Sequence, residues 1–205
     1  METRAYLKGT RLSPQKAALV ADQIRGKKVD EAMDFLVFNK QKGSSVIKID
    51  IMNQSIVEIY EVGFGPQHLI LDGDFLWIAR IFYNSDWEAF YGSSRLNINS
   101  GEVVTLDYGQ GTVCGGNIIK LNDQIYRTAN GGVMPLDSDL ILNQSQRIGS
   151  YQSVYSASAH QESVFLGVSD FVAPDTVYIH NELGNIISTL SVDVLPGDYA
   201  IWSID

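Results

Sequence analysis

The chain of 205 residues holds one cysteine, Cys114, and three histidines. A lone thiol forms no internal disulfide, and no metal-ligand spacing surrounds it, so a disulfide scaffold and a structural zinc site are both excluded. Its expected role is that of a small buried apolar residue. His68, His160 and His180 share no spacing that would gather a metal ion, so neither a metal site nor a cofactor is expected. No apolar run reaches the 18 residues that a membrane-crossing helix needs. The opening Met1-Glu2-Thr3-Arg4 leads into polar sequence rather than an apolar signal core, so the chain reads as soluble and untargeted, with no compartment indicated.

Positive charge is scarce over most of the length. Nine of the 15 Lys and Arg residues fall within residues 1–43, against five acids, for a balance of +4. The remainder carries six basic residues against nineteen acids, or −13. An acidic module of that kind repels phosphate backbones, which argues against nucleic-acid binding from residue 45 onward. A composition break this abrupt marks a domain boundary or a fusion point, placed between Lys42 and Val46. Otherwise 45% apolar and 19% charged residues is ordinary globular composition, which excludes a disordered chain.

Residues 1–43 follow a helical period. Ser13 can cap free backbone N–H groups, and Pro14 fits the first helical position, where its missing N–H costs nothing. Ala17, Val20, Ala21 and Ile24 then form one apolar face before Gly26 ends the helix. A second short helix is expected from Asp30 to Asn39, with Ala32, Phe35 and Leu36 on one side. Ser13 and Lys16 match an S-x-x-K spacing, but no companion motif of serine acyl-transfer enzymes occurs, and capping accounts for the serine. The run Arg11-Leu12-Ser13-Pro14-Gln15-Lys16, continuing through Leu19-Val20-Ala21-Asp22-Gln23-Ile24-Arg25-Gly26-Lys27-Lys28-Val29 and Glu31-Ala32, resembles the start of bacterial large-subunit ribosomal protein L-twenty-two. That resemblance implies ribosomal RNA facing Lys8, Arg11, Lys16, Arg25, Lys27 and Lys28.

From Ser45 the period changes from 3.6 to 2, with short β-rich runs separated by Gly, Asn, Asp and Ser. One unit reads as four strands: 46–50, 56–60, 65–71 and 73–80. The same grammar returns at 95–98, 103–106, 117–121 and 122–127, then between Asp139 and Val168. A fourth copy starts at Val177 and ends one strand short near Trp202. Recurrence at about 40 to 50 residues is the signature of a repeat architecture. The Gly-Pro segment followed by Gly-Asp before an apolar strand resembles the YVTN-type propeller repeats of YncE-like proteins, whose members are surface or periplasmic. The expected fold is therefore mainly β, a partial or small propeller of about four four-stranded blades preceded by two short α-helices. Expected divisions are 1–43 and 45–205, with blades near 45–92, 93–132, 133–174 and 175–205. A partial ring leaves open blade edges, at which chains could self-associate.

The best binding candidates are the aromatics Phe82, Tyr83, Trp87, Phe90 and Tyr91, placed in the longest insertion between blades, where a sugar or peptide site would use them. Packing between blades is the structural alternative for the same rings. Gly109, Gly111, Gly115 and Gly116 have no helix after them to present N–H groups to a phosphate, so a plain loop is expected. Asp74, Asp86 and Asp123 lack the dense spacing of a calcium loop. Asn53 and Asn143 begin N-x-S triplets, at hairpin turns where asparagine is common anyway. The expectation is a non-enzymatic binding or scaffold module for a protein, peptide or carbohydrate, with no catalytic residue assigned. The alternatives are ribosomal RNA binding through the basic segment, or a propeller-type hydrolase or lactonase with acids and histidines converging on the ring axis.

Overall fold

The computed structural model describes residues 45–84, 86–111 and 115–201, all within the second of two compact units, Gln41–Asp205. The two helices expected before residue 43, the six RNA-facing cations and Cys114 lie outside the described residues.

The described region is all antiparallel meander. Strands β1 (Ser45–Asp50) and β2 (Ser55–Glu61) form a two-stranded sheet. Four strands follow in one sheet: β3 (Pro66–Asp72), β4 (Phe75–Tyr83), β5 (Ala89–Asn97) and β6 (Val103–Gln110). A three-stranded sheet holds β7 (Ile118–Leu121), β8 (Gln124–Ala129) and β9 (Gly132–Pro135). Bridges from Val133 to Ile148 and from Leu136 to Leu142 extend it with an irregular returning segment. The last sheet holds β10 (Val154–His160), β11 (Ser163–Val168), β12 (Asp175–Asn181) and β13 (Ile186–Val192).

Alternation along single strands shows how the sheets stack. In β4, Leu76 and Ile78 pack with Tyr60, Val62 and Leu96 beneath the first sheet. Their neighbours Trp77 and Ala79 point the other way, into a cluster with Ile118, Ile125, Leu136 and Leu140. In β7, Ile118 belongs to that second cluster while Ile119 and Leu121 join Val133, Val154, Val164 and Leu166 of the next one. Successive residues of a strand face opposite sides, so the second and third sheets are apolar on both faces and serve as middle layers. Among the described residues none packs on the far side of the first sheet, where Ile47, Val57 and Ile59 are 50%, 54% and 55% exposed. The first strands of successive complete sheets run side by side, β7 lying next to both β3 and β10.

The strand grouping is shifted from that expected. Residues 46–80, taken above as one unit, are divided between two sheets, β1–β2 and β3–β4. The segment 81–95, expected as an insertion between blades, is the hairpin of β4 and β5, whose registered pairs run from Phe75↔Asn97 to Tyr83↔Ala89. Hairpins of similar turn chemistry occur both within and between the expected units, so local pattern leaves the phase undetermined. The real breaks fall where Gly63, Gly65 and Gly115 take left-handed φ values. At Gly115 a side chain would collide with the Tyr155 carbonyl, so only glycine lets the chain pass beside β10 into β7.

Candidate binding site

Strand direction sorts the connections into two ends. Because β3, β7 and β10 start at one end and every partner alternates, the described connecting residues 62–65, 84, 86–88, 111, 115–117, 130–131, 149–153, 169–174 and 193–196 gather at that end. The hairpin turns at 51–54, 73–74, 98–102, 122–123, 161–162 and 182–185 lie at the other. The first set is longer and richer in left-handed positions, and it carries the exposed aromatics Phe64, Trp87 and Phe171, with Tyr83 beside them at the end of β4.

The aromatic run expected as a ligand platform is divided between two roles. Phe82 stacks on Phe90 with ring centroids 5.9 Å apart and meets Phe64 at 6.4 Å. Tyr91 packs on Tyr108 at 5.3 Å. Only Trp87 lies in the turn itself; Phe82 and Tyr83 end β4, and Phe90 and Tyr91 begin β5. Tyr83 and Trp87 face solvent, 52% and 82% exposed, with their rings 6.5 Å apart. Asn84 sets the turn by accepting from the N–H groups of Asp86 and Glu88.

Beneath these rings lie two arginines that composition did not single out. Arg80 and Arg127 are 2% and 0% exposed. The Arg80 guanidinium donates to the Asp107 carboxylate. It fits because Gly92 has no side chain: a Cβ there would crowd Leu106, Arg80 and Asp107 together. Arg127 donates to the carbonyls of Thr128 at 2.7 Å and Arg80 at 2.9 Å, and lies 5.2 Å and 5.5 Å from the ring centres of Tyr91 and Tyr108. Burial pulls its pKa down to about 10, and the Arg80 charge adds to the effect. Carbonyl dipoles and ring faces thus take the place of a counter-ion for Arg127, which gives this region a polar support between the second and third sheets.

Between the third and fourth sheets the same end opens into a cleft of about 490 Å³. Asn130 from the β8–β9 turn, Gly132 at the start of β9, Gln152 and Ser153 before β10, and Ser169, Asp170 and Phe171 after β11 line it. Ser169 is buried at 3%, and its Oγ accepts from the Phe171 N–H at 3.0 Å. The Ser153 Oγ is buried with no partner. Asp170 Oδ1 accepts from the N–H groups of Val172 and Ala173, both at 2.9 Å, and these bonds hold its carboxyl below the usual range. Phe171 stands 51% exposed, its ring edge-on to Tyr155 at 5.9 Å. Nothing in the local pattern marks these residues, because they come from three connections that only the stacking of the sheets brings together.

The histidines stay apart. His68 Nδ1 accepts from the Ile118 N–H at 3.2 Å. His160 ends β10. His180 is buried, Nδ1–H donating to the Gly184 carbonyl at 2.9 Å while Nε2 accepts from the Tyr151 hydroxyl at 2.7 Å. Asp74 and Asp123 sit in turns at the end opposite Asp86. Among the described residues no group of three or more His, Cys, Asp or Glu could hold a metal ion, and no helix is long and apolar enough to cross a membrane. Asn143 caps a short 3-10 turn, Gln144–Gln146, by accepting from the Ser145 N–H.

These observations define an array of stacked antiparallel sheets with a cleft between the third and fourth sheets at its loop-bearing end. A family model, Ribosomal protein L22p/L17e, matches residues 5–89. The match contains the basic segment whose residues resemble that family, and it runs on into β1 to β4 of the stack. Among solved structures, one described as "Crystal structure of the eukaryotic initiation factor" is similar at 14% identity with a TM-score of 0.41. That similarity covers 72% of this chain and 39% of the other, so the chain spans well under half of that protein's length.

Proposed function

We propose that this protein is a non-enzymatic binding protein in two parts: a ribosomal-RNA-binding segment at residues 1–43 and a propeller-type binding or scaffold module at 45–205. The observation that carries the first part is the match of residues 5–89 to the Ribosomal protein L22p/L17e family. Its physical basis is the concentration of nine of 15 basic residues in the first 43 positions, since phosphate contacts by Lys and Arg dominate RNA affinity. The test is retention of large-subunit ribosomal RNA by the full chain across a salt series, beside a variant with Arg25, Lys27 and Lys28 changed to Gln. Each phosphate contact adds roughly 0.7 to 0.9 to the slope of log affinity against log salt, so the triple variant should lose about 2 from that slope. Equal retention and equal slope would refute the RNA reading.

The second part is favoured by the succession of up-and-down sheets whose first strands lie side by side while their faces pack in series. That is how blades follow one another around a propeller axis. In this reading the loop end presents ligand-binding surface and the strands supply rigidity.

A further inference from the structure

We propose that the cleft between the third and fourth sheets is a binding site for a neutral saccharide, with Phe171 as the stacking platform and Asn130, Gln152, Ser153, Ser169 and Asp170 as the hydroxyl-recognising groups. The proposal deepens the reading of residues 45–205 as a non-catalytic binding module. A sugar ring offers an apolar C–H face and a rim of hydroxyls that both donate and accept. The cleft offers the complement: one exposed aromatic face and a ring of amides, hydroxyls and a carboxylate.

The donor and acceptor set narrows the ligand class. No Lys or Arg lines the cleft; Arg147 at its rim is engaged by the Asn130 carbonyl and the Ser150 hydroxyl, and the charged group in the lining is Asp170, a carboxylate that its backbone donors keep ionised. That favours neutral over anionic ligands on Coulombic grounds. Extended peptides bind by adding to an open strand edge. The cleft walls include β8 and β11, each hydrogen-bonded to a strand on both sides, and meet the edge strands β9 and β10 only at their first residues, Gly132 and Val154, too short a length of open edge for a peptide strand to pair with. Two hydroxyls buried in the cleft wall have unused hydrogen-bonding capacity: the Ser153 Oγ is without a partner, and Ser169, having accepted from the Phe171 N–H, keeps its hydroxyl proton to donate. A buried hydroxyl without a partner is costly, and a ligand hydroxyl would remove that cost.

The rim is held in place before any ligand arrives. Asn130 and Phe171 have φ values of 48° and 69°, a left-handed conformation that a bulky aromatic adopts only when its surroundings impose it. The Tyr151 N–H donates to the Gly131 carbonyl at 2.7 Å, and Arg147 donates to the Asn130 carbonyl at 3.0 Å, pinning one rim. The Asp170 N–H donates to Asp175 at 3.2 Å, pinning the other. Backbone strain spent to turn an aromatic ring outward beside a polar cleft fits a recognition element better than a packing residue.

The test uses the full chain and a panel of neutral disaccharides: cellobiose, maltose, lactose, xylobiose and mannobiose, with a heparin disaccharide as the anionic comparison. Saturation-transfer NMR finds any binder, and calorimetry then measures it in the wild type and in Phe171→Ala, Gln152→Ala and Leu183→Ala. Gln152 is exposed, and Leu183 lies 79% exposed in the turn at the opposite end, so both variants are expected to fold. The expected result is binding of at least one neutral disaccharide, weakened tenfold or more by Phe171→Ala and severalfold by Gln152→Ala, and unchanged by Leu183→Ala. Absence of binding across the neutral panel, preference for the heparin disaccharide, or full affinity in both cleft variants would overturn the proposal. Chromatography of the incubated sugar separates the two readings. Cleavage of a bound disaccharide would refute the non-enzymatic module and leave the site standing, whereas no binding removes the site and leaves the module.

Discussion

Replacing Ile78 by Ala removes three carbons from a side chain with no exposed surface, wedged between the first and second sheets among Tyr60, Val62, Leu76 and Leu96. At about 0.8 kcal/mol per buried methylene the lost transfer energy is about 2.4 kcal/mol. A residual cavity of roughly 80 Å³ at about 24 cal/mol per Å³ would add about 2 kcal/mol if nothing relaxed. Partial collapse brings the expected destabilisation to about 3 kcal/mol. Ile47→Ala provides the control, since its side chain is half exposed on the far face of the first sheet and should cost about 1 kcal/mol, with no cavity term. Urea unfolding of the full chain is the assay, followed by tryptophan fluorescence. Trp77, 8% exposed and next to Ile78 in the same strand but in the opposite cluster, reports on the stack directly. The slope of free energy against urea should stay constant while the midpoint falls. Equal costs for Ile78→Ala and Ile47→Ala would mean that both faces of the first sheet are covered, and the serial stacking described here would be wrong.

Two further outcomes follow from local geometry. Gly115→Ala places a methyl group against the Tyr155 carbonyl at a φ of 58°; the left-handed cost of about 1 kcal/mol adds to a displaced loop, so thermal unfolding should show a loss well above 1 kcal/mol, and a neutral result would refute this path of the chain. Tyr151 has its pKa pushed up to about 12 by burial, with Tyr178 adding to the shift. The folded state therefore keeps this proton longer than the unfolded chain, whose tyrosines titrate near 10. Its contribution is complete below pH 10 and is lost as pH rises toward 12. Tyr151→Phe should flatten the fall in stability between pH 10 and 12, at the expense of the hydrogen bond to His180, worth about 1 kcal/mol. Urea midpoints at pH 8, 10 and 11 check the sign, and an unchanged slope would refute it.

Much of the strand content was legible because period-two alternation is a local property. Val46 to Asp50, Ile56 to Tyr60, Leu76 to Arg80 and Ile186 to Leu190 all lie within observed strands. Which hairpins join into one sheet was not legible. The run from Phe82 to Tyr91 has the polarity of a loop and the aromatics of a site, yet register places four of its five aromatics in β4 and β5 and sends three of them inward. The cleft residues were hidden for a related reason. Asn130, Gln152 and Asp170 belong to ordinary turn sequences separated by about 20 residues each, and turn chemistry alone accounts for every one.

Composition and periodicity by themselves determined that the basic residues concentrate before residue 43 and that β structure begins near Ser45, because charge balance and alternation are summed over neighbours in the chain. The buried pair Arg80 and Arg127, the division of the aromatic run and the cleft at the loop end were decided only by tertiary structure. Each depends on which face of one sheet meets which face of the next, a long-range choice that no window of a few residues contains.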